Sequence, residues 1–172
     1  MSSFLIRPAR TSDVPAIKAL VAPLASRRIL MAKETVAYFE GIQEMLVAQT
    51  TGGQLSPVVI GCGALHVMWD DLAEVRTLAT APDWLGQGVG HALVEQLLEN
   101  ARALGVSRVF CLTFEVEFFR RHGFEVMADQ SAVDPQVYSE LLRSHDEGVA
   151  EFLDLARVKP NTLGNTRMLR EL

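Results

Sequence analysis

The apolar positions change period along the chain, and each change predicts an element. The short apolar run that ends at Arg7 reads as a strand over residues 4–7. Ser12 and Asp13 then stand where an N-cap belongs, with Pro15 in the first turn of a helix reaching about Leu24. A short helix fits residues 33–41. Residues 45–49, 58–68 and 72–80 read as three strands, separated by turns at Thr51-Gly52-Gly53 and Trp69-Asp70-Asp71, and so predict an antiparallel meander. From Gly88 the spacing becomes helical through Val89, Leu93, Leu97, Ala101 and Leu104, and Gly105 stands where a left-handed C-terminal residue belongs. Residues 106–113 predict a buried strand, 117–122 a short helix and 123–128 another strand. A strand, a long helix and a strand imply a parallel pair with a right-handed crossover. Helical patterns follow Pro135 through Leu142 and cover 149–155, before a closing strand over 166–170. The expected class is α+β, a mixed and mostly antiparallel sheet flanked by helices, in a single domain over 1–172.

Composition supports that reading. The chain has 172 residues, 49% hydrophobic, with 12 glycines and 7 prolines in no biased tract, enough for a core without disulfides or a structural metal. The longest apolar stretch, 55–69, contains Pro57, Gly61, Gly63 and His66 and is shorter than the ~20 residues of a membrane helix. Arg7, Arg10 and Asp13 interrupt the N-terminal region where a signal peptide needs an apolar run, so the expected address is cytoplasmic, without membrane contact. Cys62 and Cys111 each sit in an apolar strand-like stretch, which favours reduced buried thiols. The net charge of −5 arises between Asp134 and Asp154, and no long basic stretch exists to displace phosphate counterions, so nucleic acid is not an expected partner.

Leu85-Gly86-Gln87-Gly88-Val89-Gly90 lies between a strand and a helix N-terminus. Glycines there let consecutive backbone N–H groups turn toward an anion, helped by the helix dipole, and a pyrophosphate would fit. A tight strand-to-helix turn is the plain alternative. No Lys-Ser or Lys-Thr follows, so it is not a Walker loop, and its glycine spacing is not that of a dinucleotide fold. The four histidines, His66, His91, His122 and His145, are scattered without ligand spacing, and no metal is expected. Cys111 has no sequence-local His and acid to make it a nucleophile.

With these residues in view, the chain resembles the GNAT acyltransferase superfamily, whose acetyl-CoA loop reads Gln/Arg-x-x-Gly-x-Gly/Ala at a helix start. Gly88 and Gly90 match, whereas Leu85 replaces the usual basic or amide residue. Phe118-Phe119-Arg120-Arg121-His122-Gly123-Phe124 is similar to the later aromatic-aromatic-x-x-x-Gly-Phe element. The superfamily's frequent tyrosine acid falls on Phe119, which has no proton to give. A broader resemblance, carried by Arg7-Pro8-Ala9-Arg10-Thr11-Ser12-Asp13-Val14, Pro23-Leu24 with Ile29-Leu30, Ala73-Glu74-Val75-Arg76, Val109-Phe110-Cys111-Leu112-Thr113 and Asn165-Thr166-Arg167-Met168-Leu169, is to N-acetylglutamate synthases in their short single-domain bacterial form.

That resemblance implies a GNAT fold and transfer of the acetyl group of acetyl-CoA, as co-substrate, to the α-amine of L-glutamate by direct attack. It implies Glu74 as general base, with a strand carboxylate in water or paired to Arg76 as the plain alternative. It implies Thr113 as a hydroxyl that orients or stabilises, with an ordinary strand threonine as the alternative. Backbone N–H groups at Met31 and Thr77 would receive the α-carboxylate. Lys33, the Thr166 hydroxyl and Arg167 would meet the side-chain carboxylate; each of the two cations also reads as a solvated surface charge. Leu78 and Thr80 would offer backbone partners to pantetheine, and Leu85 through Gly90 would hold the pyrophosphate. Glutamine, another amino acid or a protein N-terminus as acceptor stays open, as does a silent acyl-CoA-binding module. The acidic late segment and the closing strand are the surfaces that a homodimer could use.

Overall fold

A computed structural model describes residues 3–52, 56–127, 134–153 and 164–172. Seven strands form one mixed sheet in the order β1-β2-β3-β4-β5-β7-β6. They are β1 (Ser3–Pro8), β2 (Met45–Thr51), β3 (Val59–Val67), β4 (Leu72–Thr80), β5 (Arg108–Thr113), β6 (Glu125–Val126) and β7 (Thr166–Glu171). The helices are α1 (Val14–Ser26), α2 (Thr35–Glu40), α3 (Val89–Ala103), α4 (Val116–Arg120), α5 (Pro135–Leu141) and α6 (Glu147–Phe152). The chain divides into two compact units, Met1–His66 with Val75–Asn100, and Val67–Glu74 with Ala101–Leu172.

In the first unit β1 and β2 pair antiparallel, as do β2 and β3, with an irregularity between Ala48 and Gln49. Asp13, expected as an N-cap, makes no side-chain cap bond to α1. Its carboxylate takes the Arg7 guanidinium through two hydrogen bonds of 2.7 and 2.9 Å and the Arg10 N–H at 2.7 Å. A fork of charged donors outcompetes neutral helix amides for one carboxylate. Strand β3 shows different side chains to its two faces. Cys62 and Ala64 join Val14, Ile17, Val21, Tyr38, Met45, Val47 and Ala79 in one core. The intervening positions are crowded: a Cβ at Gly61 would lie 2.7 Å from Val89 Cγ1, and one at Gly63 would lie 3.0 Å from Leu97 Cδ1, so any side chain there requires its neighbours to shift. The expected glycine turn after β2 falls partly outside the described residues, since Gly53 does.

In the second unit the turn ahead of β4 closes through Met68 N–H to the Leu72 carbonyl at 2.8 Å. Asp71 then ties the start of β4 to the start of β5: its carbonyl accepts the Ser107 and Arg108 N–H groups, and its carboxylate accepts Arg108 Nε at 2.9 Å. Neighbouring strands that begin at one edge run the same way, as the helical crossover requires. Leu72, Phe110, Leu141, Val149, Phe152 and Leu153 form the core beneath α5 and α6.

Element bounds in this unit differ from those expected. The strand expected over 123–128 is only Glu125–Val126, because Gly123, at φ 78, and Phe124 complete the turn after α4 and Ala128 lies outside the described residues. The closing strand β7 pairs antiparallel with β5 along its length and, at Met168 and Leu169, with β6 on its other side. The helix expected over 149–155 begins at Glu147; Asp154 and Leu155 lie outside the described residues. Among the described residues no helix is long and apolar enough to cross a membrane.

Candidate active site

Most expected site residues of the first unit lie on β4 and on the loop that leaves it, while Met31 and Lys33 lie between α1 and α2. Thr77 is buried and has φ 58, the left-handed region that β-branched residues rarely enter. Backbone held in such a region marks a place where the surroundings over-determine the chain, and such places cluster at functional sites. Here Cys62 Sγ contacts the Thr77 carbonyl at 3.5 Å, and Lys33 Nζ donates to Thr77 Oγ1 at 3.2 Å. The structure thus brings together Lys33 and Thr77, two residues expected to serve one acceptor. Met31 lies two residues before Lys33 and is 42% exposed. Sequence reasoning missed Cys62, because nothing local to it signals a partner fifteen positions away on the next strand.

Beyond Leu78 and Thr80 the chain passes through a single turn of 3-10 helix, Pro82–Trp84, into the glycine loop. Gly86 and Gly88 have φ 75 and 84, and a Cβ at either would meet nothing within 4 Å, so open space lies over both. Leu85 is exposed. The Gln87 side chain donates to the Asp83 carbonyl at 2.7 Å, bracing the loop from within. Val89 is buried and Gly90 belongs to α3. The first-turn N–H groups of any α-helix have no acceptor inside the helix, which with the dipole makes this end a place for phosphate oxygens.

In the second unit Glu74 and Thr113 are both buried. Burial pushes the Cys111 thiol well above its ordinary range, and the Glu74 charge adds to that. Cys111 therefore stays a protonated thiol and a poor nucleophile. Thr113 Oγ1 accepts the Glu115 N–H at 2.8 Å, which orients the hydroxyl and leaves its own proton to donate. Thr113 is the direct partner of Thr166 across β5 and β7, whereas Arg167 pairs with Leu112 and so faces the other side of the sheet. Arg167 Nη1 reaches the Glu151 carbonyl of α6 at 3.4 Å. Thr166 and Arg167 are thus not brought together. Phe119, where the resemblance puts a tyrosine, is buried edge-on against Phe118 and Phe124.

Comparison with known proteins fits this geometry. The acetyltransferase (GNAT) family matches residues 29–124. An amino-acid acetyltransferase of Mycobacterium tuberculosis is 54% identical over 165 residues, covering 96% of this chain and 92% of its own length. An amino-acid acetyltransferase of Neisseria meningitidis is 30% identical over 126 residues, which are 72% of this chain but 28% of that protein. Among solved structures, a Mycobacterium tuberculosis protein in complex with CoA superposes with a TM-score of 0.88 at 54% identity, over 98% of this chain and 99% of that one. The N-acetylglutamate synthase of Neisseria gonorrhoeae, complexed with coenzyme A and N-acetyl-glutamate, shares the fold at a TM-score of 0.76 and 24% identity, with 36% of its length covered.

Proposed function

The chain belongs to the acetyltransferase (GNAT) family, and from that premise we propose that it moves the acetyl group of acetyl-CoA to the α-amine of L-glutamate, giving N-acetyl-L-glutamate and CoA as the first step of arginine biosynthesis. The observation that carries the acceptor is the Lys33 ammonium held on the Thr77 hydroxyl at the left-handed turn of β4. A fixed cation there selects an acceptor with a second carboxylate.

The Leu85–Gly90 loop and the first turn of α3 take the pyrophosphate through backbone N–H groups, with Leu78 and Thr80 serving the pantetheine arm. Thr77 and Met31 N–H groups take the α-carboxylate. Glu74 removes a proton from the α-ammonium, directly or through water, and the neutral amine attacks the thioester carbonyl. The Thr113 hydroxyl, oriented by Glu115, donates to the developing oxyanion. Collapse expels CoA as a thiolate, which takes up the second proton that the nitrogen sheds as the amide forms; with a thiol pKa of about 8.5 that departure needs little acid help. A phenylalanine at position 119 is compatible with this. Cys111 takes no acetyl group, so transfer is direct.

Release of CoA with L-glutamate, L-glutamine, other amino acids and an N-terminal peptide tests the reading. The highest kcat/KM is expected with L-glutamate. Greater efficiency with glutamine or the peptide reassigns the acceptor, and CoA binding without turnover on any of them makes the chain a binding module.

A further inference from the structure

We propose that Cys62 is a positioning residue for the acceptor site, its S–H group holding the Thr77 carbonyl so that the left-handed turn of β4 presents the Thr77 hydroxyl to Lys33. This rests on the acceptor reading above and adds a residue which that chemistry does not use.

Cys62 is completely buried on β3, opposite Val47 of β2, in the core that also contains Ala79. Its sulfur lies 3.5 Å from the Thr77 carbonyl oxygen and is also met by the Ala79 backbone N–H. One side chain thus fixes the two peptide groups that follow the strained residue, giving to the Thr77 carbonyl and receiving from the Ala79 N–H on either side of Leu78. Each restraint on Thr77 has a separate anchor: the carbonyl on Cys62, the hydroxyl on Lys33. A threonine at φ 58 relaxes toward an extended conformation when such restraints are removed, and its hydroxyl then swings from Lys33. Burial pushes the Cys62 thiol up to about 12, so the group remains a donor at any working pH and has no nucleophilic role. Alanine supplies neither contact, and valine fills the space without a donor.

Steady-state kinetics with both substrates varied test this on Cys62→Val and Cys62→Ser. The valine variant is expected to raise KM for L-glutamate about three- to tenfold, the value of one hydrogen bond, with KM for acetyl-CoA within about twofold of the parent. Serine keeps an O–H donor and restores the glutamate KM to within about twofold of wild type on the same scale. Equal losses for both substrates, or serine behaving as valine, would make Cys62 plain core and overturn the proposal. Cys62→Ala is the donor-free variant to use if valine does not fold. Amide hydrogen exchange at Thr77, Leu78 and Ala79 reads the turn without turnover: faster exchange in the donor-free variants alone supports the role, and unchanged exchange defeats it. If the wild-type protein acetylates no amino acid, the functional reading fails while exchange still decides the fate of Cys62.

Discussion

Thr113 and Thr166 are direct partners in the antiparallel ladder between β5 and β7, so both hydroxyls rise from one face of the sheet. Cys111 and Met168 follow on the same face, and Leu112 with Arg167 occupy the other. If the Thr113 proton meets the oxyanion, Thr113→Val should lower kcat by roughly 100-fold. Thr113→Ser should retain most of the rate, since the bond from Glu115 can re-form. A valine variant with unchanged kcat would return Thr113 to an ordinary strand position.

Glu74→Gln keeps the shape of the buried side chain and removes the base. Turnover at neutral pH should fall roughly 100- to 10,000-fold with acetyl-CoA binding intact. The deficit should narrow as pH rises, because the acceptor amine then loses its proton unaided. A pH-independent deficit, measured from pH 6 to 10, would point to lost geometry.

Two glycine substitutions separate packing from ligand contact. Gly61→Ala places a methyl group against Val89, Leu93 and the Ala79 carbonyl, so a loss of about 1–3 kcal/mol of stability is expected by thermal unfolding. A Cβ at Gly88 meets no atom within 4 Å, so the stability cost of Gly88→Val is chiefly that of the left-handed conformation, about 1–2 kcal/mol. Its larger effect should fall on CoA, whose Kd rises about tenfold or more by calorimetry while that of the amino acid holds. Normal CoA binding by a folded Gly88→Val protein would remove the loop from the site.

Lys33→Met removes a charged donor from the acceptor pocket. Efficiency with glutamate should fall roughly 10- to 150-fold, the equivalent of about 1.5–3 kcal/mol. Glutamine has no charge to leave unpaired, so the ratio of glutamine to glutamate efficiency must rise. Equal losses for both amino acids would show that Lys33 serves to hold Thr77 rather than to choose the substrate.

The two buried thiols shape stability at alkaline pH. Burial pushes Cys62 up from an ordinary 9.0 to about 12, and Cys111 also moves up. Below pH 9 both folded and unfolded chains keep these protons, and the thiols contribute no pH dependence. Above it the unfolded chain ionises first while the folded one stays protonated, so stability falls by about 1.4 kcal/mol per pH unit for each thiol. For Cys62 that decline ends near pH 12. Urea unfolding between pH 8 and 11 should show this slope, and Cys62→Ser should flatten it; an identical slope in the variant would place the ionisation elsewhere.

The parts of this molecule that could be read from its sequence are those whose causes are local. Strand β4 spans Leu72 to Thr80 as read between its turn signals, and α3 follows its 3.6-residue period up to Gly105, which has φ 83. The glycine loop was readable because its positive φ values fall on glycines. Thr77 was not, since no glycine or asparagine marks its left-handed turn, whose restraints come from Cys62 and Lys33 at a distance. Asp13 looked like a cap until Arg7, on β1, proved the stronger partner. The pairing of Thr113 with Thr166 depends on where β7 enters the sheet, and no spacing rule reports that.

That entry point has a consequence for synthesis. Strand β7 lies between β5 and β6, both of which precede it in the chain. A nascent polypeptide halted before Thr166 holds β5 and β6 apart with an open seam, and the backbone groups of Phe110, Cys111, Glu125 and Val126 that β7 would pair face it without their ladder. Loop-closure entropy delays the closing step, since its contacts join distant parts of the chain. During that delay a β7 from another copy competes with the tethered one at a disadvantage set by the tether's effective concentration, so only crowded translation or concentrated refolding brings strand exchange between neighbouring molecules within reach.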